Sequence, residues 1–278
     1  MNPGGIVMDN YTAVTENIYR LTVPFRDIYT TVYILKAPDG DILFDTATYP
    51  EDTTMYILPF LKELGVTAQT LKYVFISHNH GDHSGGLGQL MQEFPETCIV
   101  SRAPALKETY GTYSFFMPED NDTLLDVFRV ITIPGHSEDS SAILDTRTAT
   151  LVTGDCLQLH GICGSGDWAC NIRFPIQHLE ALKKVSKLEI SSIYAAHDYY
   201  PMGYKAIGRE EILGMLNACI APLRSLRDLI LENPALDDAA VREKFNAVPG
   251  LPTIREGVVS AMRAALSKDG FDLDITLT

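Results

Sequence analysis

"SHNHGDHSGG", residues 77–86, follows the continuous apolar run LKYVFI. Three of the seven histidines in the chain, His78, His80 and His83, fall within this stretch, together with Asp82. An apolar run of this kind is typical of a strand that is buried on both faces. Residues two apart in an extended chain point to the same side, so His78 and His80 can contact one ion. The stretch therefore predicts a metal-binding turn at the C-terminal end of a buried strand.

Further candidate ligands follow three later predicted strands. His136 comes after DVFRVITIPG, Asp155 after the predicted hairpin SAILDTRTATLVTG, and His197 after ISSIYAA. One metal ion needs three or four protein ligands, so the histidine turn alone cannot complete two sites. A single histidine at a strand end is more often a structural residue. Four strand ends that all carry histidine or aspartate favour a metal site instead.

The run HNHGDH resembles the H-x-H-x-D-H signature of the metallo-β-lactamase-fold superfamily, and the later ligand candidates match its remaining positions in order. The resemblance covers about residues 15–200. It implies a mixed α/β (α+β) fold, a four-layer αββα sandwich of two mixed β-sheets flanked by helices. It also implies two metal ions at one edge of the sheets. The implied ligands are His78, His80 and His136 for the first ion, Asp82, His83 and His197 for the second, and Asp155 bridging both.

This resemblance implies a dinuclear metal-dependent hydrolase. Two divalent ions a few Å apart lower the pKa of a shared water toward about 7, and the resulting bridging hydroxide is the expected nucleophile. Zn²⁺ is the expected metal, with iron or manganese as alternatives. Asp82 is the expected catalytic residue, because it binds an ion and can also orient the water or accept its proton. Asp45, at the end of DILFD, is expected to support the metal ligands from behind, as in relatives of this fold.

Branch markers within the superfamily favour a small ester, lactone or thioester as substrate. Metallo-β-lactamases proper generally lack the bridging aspartate, so Asp155 argues against that branch. Glyoxalase II-type thioesterases resemble this chain in the full ligand set and a helical C-terminal part, and quorum-quenching lactonases resemble it in the His-Asp pair at His197. A mono-iron oxidoreductase similar to persulfide dioxygenases is the alternative. An RNase Z-like phosphodiesterase is disfavoured by the net charge of −14.

The composition predicts a soluble protein without nucleic-acid or membrane partners. The chain has 278 residues, 46% of them hydrophobic, and a pI of about 4.8. Such an acidic surface repels a phosphate backbone. The start MNPGGIVMDN does not resemble a signal peptide, and no apolar run approaches the roughly 20 residues of a membrane span. We therefore expect a cytoplasmic protein with a small-molecule substrate, either as a monomer or as a homodimer.

The sequence also predicts the organisation of the chain. NIYRLTVP, YTTVYILKA and DILFDTA are rich in β-branched and aromatic residues, and the turn PDG between the last two favours an antiparallel meander. Ser84 is expected to cap the helix after the histidine turn. Residues 1–207 are predicted to form the catalytic domain. A 3.6-residue period begins near Arg209 and predicts a helical extension over residues 208–278 that serves as a lid or dimer contact.

Three residues are candidates for the substrate pocket. His160 and Trp168 lie in the glycine-rich stretch QLHGICGSGDWACN, residues 158–171, which follows Asp155. Tyr199 lies two residues after His197 and could donate its hydroxyl to a developing oxyanion. An odd number of cysteines, five, suggests free thiols.

Overall fold

The computed structural model describes residues 11–157, 172–199, 201–251 and 253–278. The chain divides into two compact units, Met1–Pro118 and Glu119–Thr278, which we call unit 1 and unit 2. The predicted domain boundary after residue 207 and the role of residues 208–278 as a lid or dimer contact stay predictions.

Unit 1 contains a seven-stranded mixed sheet whose spatial order follows the chain. The first four strands are antiparallel and the last three are added in parallel, which confirms the predicted meander. The strands are β1 (Tyr11–Ala13), β2 (Ile18–Phe25), β3 (Ile28–Ala37), β4 (Gly40–Phe44), β5 (Leu71–Phe75), β6 (Cys98–Val100) and β7 (Phe115–Phe116).

The strand that leads into the histidine turn is β5. It pairs in parallel with both β4 and β6, as its continuous apolar sequence predicts. Val74 and Phe75 are fully buried. The helices of unit 1 are α1 (Pro50–Asp52), α2 (Leu58–Glu63), α3 (Gly81–Ser84), α4 (Leu87–Glu93) and α5 (Pro104–Tyr110), with a π-helical segment at Thr53–Ile57 between the first two. The histidine turn thus connects a central strand to α3.

Unit 2 contains a six-stranded mixed sheet in the order β13-β12-β11-β10-β9-β8. Among its described strand pairs, β11 and β12 are parallel and the others are antiparallel. The strands are β8 (Thr123–Leu124), β9 (Phe128–Thr132), β10 (Ser141–Asp145), β11 (Thr150–Val152), β12 (Ser192–Tyr199) and β13 (Gly203–Ile207). Both sheets are therefore mixed, as predicted.

The helices of unit 2 share one hydrophobic core with its sheet. They are α6 (Pro175–Ser186), α7 (Arg209–Glu232), α8 (Asp238–Asn246) and α9 (Val258–Leu266). On α7, Leu216 and Ile220 are buried in the same cluster as Ile193 of β12. Full burial of each such side chain stabilises the fold by about 1.5–3 kcal/mol. Among the described residues, no helix is both long and apolar enough to cross a bilayer.

Candidate metal centre

The histidine turn gathers four of the predicted ligands within unit 1. We call these residues, His78, His80, Asp82 and His83, the turn group. His80 is the extended residue before α3, with φ −95° and ψ 153°. Asp82 and His83 lie within α3 and therefore differ from His80 in backbone conformation. Nε2 of His78 lies 2.9 Å from Nδ1 of His80. Nε2 of His83 lies 3.5 Å from Oδ2 of Asp82.

Asp45 contacts the turn group from beneath; its role as a support of metal ligands stays a prediction. Its Oδ2 accepts a hydrogen bond from Nδ1 of His83 over 2.7 Å, and its Oδ1 accepts one from the backbone N–H of Ser77 over 2.7 Å. Burial raises the pKa of the Asp45 carboxyl, while the His83 ring and the Ser77 donors oppose that rise. Its φ of 63° lies in the left-handed region, which costs of the order of 1–3 kcal/mol in a residue other than glycine.

Backbone contacts fix the position of the turn against the loop after β4. The amide and hydroxyl of Thr46 both donate to the carbonyl of His83, over 2.7 and 3.0 Å. The amide of Gly85 donates to the carbonyl of Ala47 over 3.0 Å. A Cβ added at Gly85 would lie 1.8 Å from the carbonyl oxygen of Thr48, so only glycine fits there.

The predicted helix cap at Ser84 is wrong. Ser84 ends α3 instead of preceding α4, which begins at Leu87 after Gly86. Its hydroxyl donates to the carbonyl of His80 over 3.0 Å. The four-residue helix α3 uses the hydroxyl to close its own turn, and the sequence pattern alone did not show that a second helix starts later.

Unit 2 brings together the other three predicted ligands. We call these residues, His136, Asp155 and His197, the strand-end group. Nε2 of His136 lies 3.8 Å from Oδ2 of Asp155, and Nε2 of His197 lies 3.3 Å from Oδ1 of the same carboxylate. All three side chains are buried. The two oxygens of Asp155 therefore face two different histidines.

Tyr199 contacts the strand-end group directly. Its hydroxyl donates to Oδ1 of Asp155 over 2.7 Å, and the residue is 1% exposed. A phenol in this position orients the carboxylate. Its predicted role as an oxyanion donor in the substrate pocket stays a prediction. The other two predicted pocket residues, His160 and Trp168, lie outside the described residues.

A close approach of helix α6 positions the turn that carries His136. Gly135 has a φ of 152°, and a Cβ added to it would lie 2.6 Å from Cβ of His178. The amide of Phe174 donates to the carbonyl of Gly135 over 3.1 Å. Burial lowers the pKa of His178 to about 4, so its ring is neutral near pH 7.

Two of the four donor spacings given above match those around a tetrahedral metal ion. Two ligand atoms at about 2.0–2.2 Å from a tetrahedral Zn²⁺ lie about 3.3–3.6 Å from each other. The His197–Asp155 separation of 3.3 Å and the His83–Asp82 separation of 3.5 Å fall in this range, whereas the His78–His80 separation of 2.9 Å and the His136–Asp155 separation of 3.8 Å lie on either side of it. Imidazole nitrogens and carboxylate oxygens are also the ligand types that Zn²⁺ and similar ions take.

Three supporting residues were not singled out from the sequence. Ser77 donates its hydroxyl to Asp45 over 2.9 Å, and Thr30 donates its hydroxyl to the carbonyl of Asp82 over 3.0 Å. Thr46 is the third. The only signal for Ser77 is its place directly before His78, whereas Thr30 and Thr46 carry no local signal because their partners are distant in sequence.

Comparison with known sequences identifies a family. The sequence model of the metallo-β-lactamase superfamily matches residues 26–197, which is more than half of the chain and includes both ligand groups. The matched range ends at His197 and leaves α7, α8 and α9 outside it.

Two curated relatives illustrate the range of the family. A hydroxyacylglutathione hydrolase of Nostoc is 31% identical over 151 residues, which cover 51% of this chain and 56% of that protein. The β-lactamase-like protein 2 homolog of Caenorhabditis elegans is 26% identical over 192 residues, covering 66% and 61% of the two chains. The chain thus spans little more than half the length of these relatives.

A solved structure shows the same fold. The metallo-β-lactamase FIM-1 from Pseudomonas aeruginosa, solved in its mono-zinc form, has a TM-score of 0.57 and 19% sequence identity. The match covers 76% of this chain and 94% of FIM-1. Together with the two mixed sheets and their flanking helices, this likeness confirms the predicted fold class.

Proposed function

This chain belongs to the metallo-β-lactamase superfamily, and we propose that it is a dinuclear metal-dependent hydrolase of a small ester, lactone or thioester. The observation that carries the proposal is the carboxylate of Asp155. Its two oxygens are directed to Nε2 of two different histidines, His136 and His197. A carboxylate arranged in this way can bind one ion with each oxygen.

We propose the ligand sets that the superfamily motif implies. The first ion would be held by His78, His80 and His136. Asp82, His83 and His197 would hold the second, and Asp155 would be the ligand common to both. The donor spacings of 3.5 Å between His83 and Asp82 and of 3.3 Å between His197 and Asp155 support the second set. The order of the ligands along the chain supports both sets.

Bound at these residues, the ions would supply an acidified water and an electrophile for the carbonyl oxygen of the substrate. The protein residues hold the ions and orient the groups around them. Asp82, whose side chain is 17% exposed, is the one carboxylate of the turn group and is suited to accept the proton of the attacking water. His83 beside it is fully buried, which suits a ligand and excludes competing water.

A thioester is the favoured bond among the three. The curated relatives named above include a hydroxyacylglutathione hydrolase, whose name describes a glutathione thioester as substrate. The superfamily motif and the ligand candidates all lie within residues 26–197, the part of the chain that matches the family model. The net charge of −14 also favours a small substrate over a nucleic acid.

Elemental analysis of the purified protein and a substrate panel test this function together. Two results together would support the proposal. The protein would contain about two zinc or other divalent ions per chain. It would also hydrolyse a thioester, ester or lactone, with an activity that a chelator abolishes and added zinc restores. A single iron per chain, with oxygen consumed when a thiol-derived persulfide is added, would instead identify a mono-iron oxidoreductase. Protein that binds no metal would overturn both.

A further inference from the structure

Asp45 contacts two ligands of the turn group, one directly and one through a serine. Its Oδ2 accepts from Nδ1 of His83 over 2.7 Å and from the hydroxyl of Ser77 over 2.9 Å. The oxygen of the same hydroxyl lies 3.1 Å from Nδ1 of His78. None of these four side chains is exposed to solvent. A buried hydrogen-bonded path therefore connects His83, through Asp45 and Ser77, to His78.

The donors in this path determine where its protons lie. Three donors converge on Asp45, namely Nδ1 of His83, the Ser77 hydroxyl and the Ser77 backbone N–H. The carboxylate accepts all three, so the single hydroxyl proton of Ser77 points to Asp45. The Ser77 oxygen is then the acceptor for His78, which must carry its proton on Nδ1. Both histidines therefore present the lone pair of Nε2.

We propose that Ser77 is a positioning residue through which Asp45 orients one ligand of each metal ion. Asp45 fixes His83 directly and fixes His78 through the Ser77 hydroxyl. The inference rests on the proposed function for the roles of His78 and His83 as ligands of different ions. Asp45 keeps these contacts with Ser77 in a left-handed backbone conformation, φ 63°.

The path predicts unequal effects on the two ions. Removal of a group that orients a metal-binding histidine typically weakens metal binding by about 10–100-fold. Ser77→Ala is expected to lower the affinity for the zinc ion that His78 binds by this factor. The affinity for the zinc ion that His83 binds should change much less. Asp45→Asn removes the charge that both histidines depend on and is expected to weaken both zinc ions.

Histidine nitrogen NMR and zinc titration test the proposal. Long-range ¹⁵N–¹H spectra of the protein labelled at histidine nitrogens, before and after zinc loading, report which nitrogen of each ring carries the proton. In the wild type we expect the Nδ1–H form for His78 and His83. In Ser77→Ala the preference is lost for His78 alone. Competition with a chromophoric chelator gives the two zinc affinities.

Two variants serve as controls. Ser101→Ala removes another buried hydroxyl of unit 1, one that accepts from the amide of Ala103 over 3.2 Å, and is expected to leave both zinc affinities unchanged. Ser77→Thr keeps the hydroxyl and is expected to keep the Nδ1–H form of His78.

Either of two results would overturn the proposal. One is a proton on Nε2 of His78 in the wild type, which decides the matter even if Ser77→Ala does not fold. The other is wild-type affinity for both zinc ions in Ser77→Ala. Absence of zinc binding by the wild type would instead overturn the proposed function, while the proton positions in the zinc-free protein would still test the path.

Discussion

The turn group and the strand-end group contain the same ligand types but are built in opposite ways. The turn group comes from one short stretch, and its ligand side chains lie close together because the chain bends there. The strand-end group comes from three separate segments, and sheet pairing brings its members together. Val152 of β11 pairs with Tyr194 of β12, so Asp155 and His197, each three residues further on, end at the same sheet edge.

The supports of the two groups differ accordingly. The turn group rests on the loop after β4, through Asp45, Thr46 and the close approach at Gly85. The strand-end group rests on Tyr199, which belongs to the same strand as one of its ligands. The turn group therefore depends on a loop distant in sequence for its position, whereas the strand-end group is positioned by its own sheet and, at His136, by helix α6.

Asp155→Ala is expected to have the largest effect, because it removes the carboxylate proposed to bridge both ions. We expect a loss of zinc from both sites and a fall in hydrolysis of more than about 100-fold, beyond the effect typical of a supporting residue. Zinc per chain and kcat/KM measure the two losses. Asp228→Ala, which removes an exposed carboxylate of unit 2, is the control. Full activity after loss of one ion would contradict the bridging role.

Gly85→Ala is expected to have the next largest effect. The added Cβ would lie 1.8 Å from the carbonyl oxygen of Thr48, so the turn and the loop must move apart. We expect the free energy of unfolding to fall by about 3 kcal/mol, the upper end of the usual cost of overpacking. Denaturant unfolding measures it.

Gly81→Ala is the matched control for this substitution. It adds the same methyl group within the same turn, but no described atom beyond its chain neighbours and the backbone of its own helix lies within 4 Å of the new Cβ. We expect its free energy of unfolding to stay within about 1 kcal/mol of the wild type. Equal destabilisation by the two substitutions would show that the turn group does not depend on the loop after β4.

Tyr199→Phe is expected to have a moderate effect confined to the strand-end group. It removes the hydroxyl that donates to Asp155 over 2.7 Å. We expect zinc binding to weaken by about 10-fold, the lower part of the range for a residue that orients a ligand. Tyr194→Phe, which removes a hydroxyl from the same strand, is the control in the same zinc titration. Unchanged zinc affinity in Tyr199→Phe would mean that sheet pairing alone positions Asp155.

The smallest expected effect is a pH dependence of stability at Asp120 of unit 2. Burial raises its pKa, but hydrogen bonds from Lys184 and Thr132 outweigh burial and hold the pKa below the ordinary 3.8. A carboxyl whose pKa is lowered on folding stabilises the folded state above its unfolded pKa and loses that contribution as pH falls through the folded value. The advantage of the wild type over Asp120→Asn should therefore be constant near neutral pH and shrink below pH 3.8.

Thermal unfolding of both proteins across this pH range measures the difference. Zinc affinity at neutral pH is the control measurement. We expect the wild type and Asp120→Asn to have the same zinc affinity, because Asp120 forms hydrogen bonds with Lys184 and Thr132, which are not proposed metal ligands. A stability difference that grows toward acid pH would contradict the lowered pKa of Asp120.

Much of the fold was predictable because its signals are local. The alternation of β2 and β3, the turn before Gly40 and the apolar run of β5 all appear within a few residues of each other. The predicted cap at Ser84 failed for a related reason. A hydroxyl at a helix boundary fits either the start of one helix or the end of another, and only the packing of Gly85 and Gly86 on the preceding loop decides which.

The sequence by itself determined the family, the two mixed sheets and the candidate ligands. These features depend on the spacing of residues within one turn and on the residue types at strand ends, and both can be seen directly in the sequence. The tertiary structure decided how those residues are held. Asp45 and Ser77 are 32 positions apart, and Tyr199 and Asp155 are 44 apart. No periodicity of the chain encodes such pairs, because they are set by which strands pair and at what register.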